Sequence, residues 1–231
     1  MWPSSTEIPH WVGAAMALSP EEAGRFYDRL GRWQDSQRFY EDAALDALVA
    51  HADLEHATAI FEFGCGTGRL AERLLGRHLG SECRYLGVDV SATMVSLARE
   101  RVRPWEPRAK IERSDGSMVL EARSGGFDRF VATYVLDLLS RRDMKTLLAE
   151  AHRILVPGGL LCLVSLTDGM SGLERVVSRI WRRIYAFRPG LLGGCRPIRL
   201  ESLVMRTEWT IRHRMVVTAW GIASEVLVAQ K

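Results

Sequence analysis

Between residues 59 and 166, five short strand-like runs, four of them mainly apolar and the third (110–113) largely charged, alternate with stretches of helical period, and this alternation limits the fold more than any other feature of the chain. The runs fall at about 59–63, 84–88, 110–113, 127–133 and 160–166. Runs that stay apolar along their length, rather than alternating with polar residues, belong to strands covered on both faces. Strand and helix in strict succession call for a mostly parallel sheet with helices on either side. Two further strand patterns, about 209–217 and 221–229, leave no room for a helix between them and predict an antiparallel hairpin at the sheet edge. The expected fold is a doubly wound, mostly parallel seven-stranded α/β sheet with an antiparallel C-terminal hairpin.

The flanks divide around this core. Residues 1–54 read as a helical cap, 55–167 as the α/β core, and 168–231 as a lid helix plus the edge strands that complete the same domain. Residues 1–18 look like a loose arm. Ser19, Pro20 and Glu22 then give a cap, a first-turn proline and a capping-box acid. A second helix is expected over 35–52. Ser91 and Ser140 are candidate caps for two core helices, the second of which Pro157-Gly158-Gly159 would stop. Residues 171–187 form an amphipathic pattern, with Val176, Ile180, Trp181 and Ile184 on one side and Arg175, Arg179, Arg182 and Arg183 on the other. The favoured reading is a lid packed on the sheet, and the alternative is peripheral contact with a membrane surface.

Charge is unevenly placed. Residues 168–231 hold 11 of the 31 basic side chains but only 5 of the 28 acidic ones, so this quarter of the chain suits an anionic neighbour or a solvated helix face. Cys65, Cys83, Cys162 and Cys195 are far apart, without a CxxC pair, as expected of reduced, buried thiols. The six histidines are scattered, so no metal site is expected. The apolar patch Trp11–Leu18 is too short to span a bilayer and lacks the layout of a signal peptide, which makes the cytoplasm the expected location.

The densest chemical signal is Phe63-Gly64-Cys65-Gly66-Thr67-Gly68-Arg69, between the first strand and its helix. Glycines there permit a tight turn and let a ligand lie against the main chain. Asp89 closes the second strand 21 residues after Gly68, where an acid in a nucleotide-binding sheet accepts from both ribose hydroxyls. The spacing Gly64, Gly66, Gly68, then Arg69, is not the GxGxxG of dinucleotide sites, and the Lys-Ser/Thr pair of a phosphate-binding loop is missing.

Phe61-Glu62-Phe63-Gly64-Cys65-Gly66-Thr67-Gly68, together with Gly87-Val88-Asp89-Val90-Ser91 and Met94, Ser114-Asp115-Gly116, Phe127-Asp128 and Arg153-Ile154-Leu155-Val156-Pro157-Gly158-Gly159, resembles the class I S-adenosylmethionine-dependent methyltransferases, in particular the quinone-biosynthesis and small-molecule group. The resemblance covers about residues 25–166 well and the tail loosely. It implies S-adenosyl-L-methionine as cofactor, with Gly64 and Gly66 near its methionine moiety and Asp89 on the ribose diol. Val90 and Met94 would pack near the adenine, Asp115 would accept from its exocyclic amine, and Cys65 and Gly116 complete the set. Thr133 or Tyr134 would border the transferred methyl.

An activated sulfonium needs orientation and exclusion of water more than acid–base help, and a base only when the nucleophile arrives protonated. Tyr27, Tyr134 and Asp137 are the weak catalytic candidates, with His152 behind them, and Tyr27 and Trp33 belong to the cap. The sequence favours a small-molecule or lipid acceptor. After the fourth strand, Thr133-Tyr134-Val135-Leu136 lacks the Asp/Asn-Pro-Pro-aromatic motif of nucleic-acid base methylation, and an RNA-binding module is missing. Two alternatives stand beside it: a non-catalytic cofactor-binding partner subunit, and a protein or RNA methyltransferase docking through its basic C-terminal segment.

Overall fold

The computed structural model describes residues 24–25, 28, 38–168, 196–205 and 208–231. In chain order these form α1 (Arg38–His51), β1 (Ala59–Phe63), α2 (Arg69–Arg77), β2 (Arg84–Asp89), α3 (Ala92–Val102), β3 (Ala109–Arg113), β4 (Phe127–Thr133), α4 (Arg141–Ile154), β5 (Leu155–Leu166), α5 (Leu200–Val204), β6 (Thr210–Ala219) and β7 (Ile222–Gln230). The seven strands make one sheet in the order β3-β2-β1-β4-β5-β7-β6. β3, β2, β1, β4 and β5 run parallel, and β7 is antiparallel to both β5 and β6. This is the doubly wound sheet with a C-terminal hairpin that the pattern of apolar runs predicts.

Side chains on successive strand residues face opposite sides, so each central strand feeds two cores. Ile60, Val131, Cys162 and Val226 pack with α1, α2 and α3 on one face. Phe61, Phe130, Leu161 and Leu227 pack with α4 and α5 on the other. All five residues of β1 are buried, as its position in the middle of the sheet requires. Both expected serine caps are present. Ser91 Oγ accepts from the Met94 N–H, and Ser140 Oγ from the Asp143 N–H, each at 3.1 Å.

One local expectation changes. α4 ends at Ile154 without help from Pro157-Gly158-Gly159, which lies inside β5. There the pairing with β4 jumps from Phe127↔Leu155 to Arg129↔Leu160, so three residues of β5 loop out of the ladder. Gly158 and Gly159 bond instead to Lys231 through backbone contacts of 3.2 and 3.0 Å. Cys65, Cys83 and Cys162 are buried and free. Burial pushes the Cys83 thiol up to about 11 and that of Cys162 up to about 12, which keeps both protonated and unreactive. The capping box at Ser19, the helix at 171–187 and Cys195 lie outside the described residues.

The chain runs outward from β1 through β2 to β3 and then crosses back to β4, so the winding direction reverses between β1 and β4. Crevices in sheets of this kind open beyond the carboxyl ends of the strands at such a reversal. Here a crevice opens at that place.

Candidate active site

Three strand ends build the crevice. β1 contributes Glu62, Phe63 and the turn Gly64–Thr67; β2 contributes Val88, Asp89 and Val90; β4 is followed into it by Thr133, Tyr134 and Val135. α1 closes one side with Glu41 and Leu45, and Arg69 begins α2 at the rim.

The turn after β1 is tied to β2 by backbone and side chain together. The N–H groups of Gly64 and Cys65 both donate to the Val88 carbonyl, at 2.8 and 3.0 Å. One oxygen further along, the Gly66 N–H donates to Asp89 Oδ2 at 2.9 Å. Asp89 Oδ1 accepts from the Ser91 N–H, also at 2.9 Å. The glycine turn and the strand-end acid, expected to meet from their spacing, are therefore in direct contact. Each Asp89 oxygen retains a lone pair for a hydroxyl in the crevice. Burial raises the Asp89 pKa, and the backbone N–H donors oppose that shift by stabilising the carboxylate.

Gly64 and Gly66 share a positive φ, +74° and +53°, but serve different ends. A Cβ on Gly64 would meet Val135 Cγ2 at 2.3 Å, so this glycine lets the chain after β4 close on the turn. A Cβ on Gly66 meets nothing within 4 Å, so this glycine leaves main chain open toward the crevice.

Among the residues expected to bind cofactor, Gly64, Cys65, Gly66, Asp89, Val90, Met94, Gly116 and Thr133 all line the crevice. Asp115 does not. It lines an adjoining hollow with Gly24, Arg25, Asp28 and Arg113, and its Oδ1 accepts from the Ser117 N–H at 2.7 Å. Val90 and Ser114 border both spaces.

Glu62 was not among the candidates drawn from the sequence, although it stands out as the one charged residue of β1. Its side chain is 1% exposed, lines the crevice, and leaves Oε2 without a hydrogen-bond partner. Its cross-strand neighbours, Gly87 and Val131, offer no polar side chain. Burial first, and the neighbouring Asp89 second, push its pKa up to about 8. The signal that could have found it is an acid in the middle of an otherwise apolar buried run.

Comparison with known proteins gives the crevice a context. Residues 60–159 match a family model described as a methyltransferase domain. The fold ranges more widely: the crystal structure of the cyclase SpnF aligns over 93% of this chain and 97% of its own, with a TM-score of 0.70 and 18% identity. Residues 60–159, most of the α/β core, thus carry a methyltransferase domain. Over 117 residues the chain is 29% identical to carboxy-S-adenosyl-L-methionine synthase of Chromohalobacter salexigens, covering 50% of this chain and 43% of that protein. It is 28% identical to demethylmenaquinone methyltransferase of Thermus thermophilus over 136 residues, covering 58% and 60%. The alignments thus span less than two thirds of either relative.

In this methyltransferase domain the charges of the crevice suit a cation better than a phosphate. Its lining includes the carboxyl groups of Glu41, Glu62, Asp89 and Asp143. Arg69 is the one guanidinium among the described lining residues, and it is already bonded to Glu41 at 3.1 Å and to Asp42. A pyrophosphate would meet net repulsion there.

The catalytic candidates fare differently from the binding ones. Tyr134 lines the crevice, but its hydroxyl is within 2.9 Å of Ser224 Oγ on β7, and burial moves its pKa further above the usual range. Such a phenol is not a base near neutral pH. Asp137 is fully buried and absent from the crevice lining. Its Oδ2 accepts from the Leu166 N–H at 3.4 Å, its Oδ1 has no partner, and burial pushes its pKa up to about 7. His152 is in the last turn of α4, 3.8 Å from Glu208 and edge-on to Trp209, and does not line the crevice. Tyr27 and Trp33 lie outside the described residues. Two further motif residues hold the scaffold. Asp128 accepts from the Thr58 N–H at 2.7 Å and its hydroxyl at 2.6 Å, and Arg153 donates to the Leu120 and Ala122 carbonyls at 2.9 and 2.7 Å.

Within α1 and α2 to α5, among the described residues, no helix is long and apolar enough to cross a membrane.

Proposed function

We propose that this chain binds S-adenosyl-L-methionine in the crevice and transfers its methyl group to a small-molecule, predominantly apolar acceptor. The observation that carries this is the Gly66–Asp89 hydrogen bond, which unites an open stretch of main chain with a strand-end carboxylate at the winding reversal. Asp89 would hold the ribose hydroxyls, Val90 and Met94 the adenine, and the turn around Gly66 the methionine end. When bound, the donor supplies an activated methyl group, so the protein's contribution is orientation and dryness.

Leu45, Val135, Leu138 and Leu139 line the crevice beside Tyr134, which supports an acceptor with apolar bulk. Neither Tyr134 nor Asp137 is placed to abstract a proton, which suits an acceptor atom that needs no deprotonation in the site. The small-molecule reading also agrees with the demethylmenaquinone methyltransferase likeness. A membrane-lodged acceptor rests on residues 171–187, outside the described structure, and flotation with anionic vesicles tests it directly.

Calorimetry with S-adenosyl-L-methionine and with NAD tests the cofactor. Binding of NAD alone overturns the proposal. Turnover of methyl-labelled donor with a metabolite extract tests the reaction, and the label is expected in small extractable compounds. Label in protein or RNA would move the acceptor to a macromolecule, and binding without turnover would make the chain a partner subunit. Product identification matters here because one relative is named a synthase of carboxy-S-adenosyl-L-methionine and a structural neighbour is a cyclase.

A further inference from the structure

We infer that Glu62 Oε2 carries a proton in the ligand-free protein and that entry of a cationic nucleoside donor drives this proton out. The inference rests on the proposed donor site but goes beyond it, because it assigns a linked proton to one atom. Two acids adjoin at the tips of β1 and β2, and their surroundings differ. Asp89 accepts hydrogen bonds from two backbone N–H groups, which stabilise its ionised form. Glu62 is 1% exposed and its Oε2 receives no hydrogen bond at all. When two close buried carboxyls share a low-dielectric site, they do not both ionise readily, and the proton settles on the one with weaker support for its charge. Here that is Glu62.

The groups facing Glu62 from every side reinforce this. Asp89 stands on β2, with Asp28 adding negative charge near it. Glu41 on α1 and Asp143 at the start of α4 line the same space. Arg69 is the opposing charge, but it is engaged with Glu41 and Asp42. The Cys65 thiol and Tyr134 phenol are both pushed upward by burial and stay neutral. The free crevice thus offers a buried acid without a counter-ion. A sulfonium or ammonium brought into it supplies that counter-ion. The Glu62 O–H bond then breaks, its electron pair stays on Oε2, and the proton passes to solvent. A neutral nucleoside supplies no such charge and leaves the proton in place.

Proton release is read by titration calorimetry in two buffers of different ionisation enthalpy, with the full chain. At pH 7 the wild type is expected to release close to one proton more per S-adenosyl-L-methionine bound than Glu62→Gln does, an excess that falls to near zero at pH 9, while the ratio of wild-type to variant affinity rises about tenfold between them. The neutral probe 5′-methylthioadenosine is expected to bind with no release at either pH. Glu62→Gln keeps the shape of the side chain, so what exchange and pH dependence it retains belong to the donor's own α-amino group, which contributes equally to both proteins. Donor binding to the wild type without buffer-dependent heat overturns the inference and leaves the proposed function standing. So does release of the same proton count by Glu62→Gln. Should that variant fail to fold, the wild-type contrast between the two nucleosides decides alone, and equal release with both overturns it. Failure of S-adenosyl-L-methionine to bind the wild type overturns the functional proposal and this inference with it.

Discussion

Asp89 closes β2 and Asp137 follows β4 at the same end of the sheet, with only β1 between the two strands, yet their environments are opposite. Asp89 opens onto the crevice with both oxygens held by backbone N–H groups. Asp137 is turned inside, away from the crevice, with one oxygen on the Leu166 N–H and the other without a partner. The same contrast extends to their sides of the crevice. On the β1–β2 side, polar groups are aimed at a ligand by the main chain next to them. On the β4–β5 side, the polar groups of Tyr134 and Asp137 are consumed by Ser224 and Leu166, and what faces the crevice is mostly apolar. On the proposed function, the first wall would grip the donor and the second would shape the acceptor.

The largest effect should come from the point where the two walls touch. Gly64→Ala forces a Cβ within 2.3 Å of Val135 and places alanine at φ +74°. Overpacking and backbone strain together predict a loss of about 2–6 kcal/mol in stability by urea denaturation. Gly66→Ala faces only the strain, since nothing lies within 4 Å, and should lose about 1–2 kcal/mol. Its extra methyl points into open crevice, so donor affinity should suffer more than stability. Equal stability losses at the two positions would show that the walls are not in contact as described.

The two aspartates give the next contrast. Asp89→Ala should weaken donor binding by about 1.5–3 kcal/mol, the range for losing a charged hydrogen-bonding partner, or about 10–150-fold. Asp137→Ala should leave donor affinity within about twofold and lower stability by about 1–3 kcal/mol, as removal of a buried bonded group does. The pH dependence sharpens this. The Asp137 pKa is raised to about 7 in the folded chain, against 3.8 for the ordinary group. The folded state therefore holds the proton more tightly, and ionising Asp137 works against folding as pH rises from about 4 to about 7. Over that window Asp137→Asn should gain stability relative to wild type, and above it the difference should level off. A gap that stays constant from pH 4 to 7 would remove the buried acid from the account.

How much of this was legible in the sequence follows the same line between the walls. The meeting of Gly64, Gly66 and Asp89 in one crevice was readable because it depends on neighbouring main chain: a turn after one strand, an acid at the end of the next. The sheet itself was readable because apolar runs and caps such as Ser91 and Ser140 are local signals. Asp137 and Tyr134 were not, because their side chains are claimed from 29 and 90 residues away. Tyr134 also has a φ of +56°, a conformation that tertiary packing imposes and no local pattern announces. Glu62 was visible as a charged residue in an apolar run, but that Oε2 has no partner depends on Gly87 and Val131, contributed by two other strands. Asp115, expected at the adenine amine, borders the neighbouring hollow instead, its Oδ1 drawn to the Ser117 N–H.

The smallest effect separates a wall from a catalyst. Tyr134 could serve the reaction through its ring or through its hydroxyl, and Tyr134→Phe removes only the second. If the phenol is a structural tie to Ser224, the variant should lose about 0.5–1.5 kcal/mol in stability, the usual net value of one hydrogen bond. The ring would keep its edge-to-face contact with Tyr40, at 5.8 Å between centroids, and continue to border the crevice. Methyl transfer should then keep both its rate and its pH profile, because no proton passes through this oxygen. A general base worth its usual factor of about 100 or more would instead take the rate down with it and remove a titration from the profile. Such a loss would give the β4–β5 wall a catalytic group after all, and would mean that the Ser224 contact breaks when the acceptor enters.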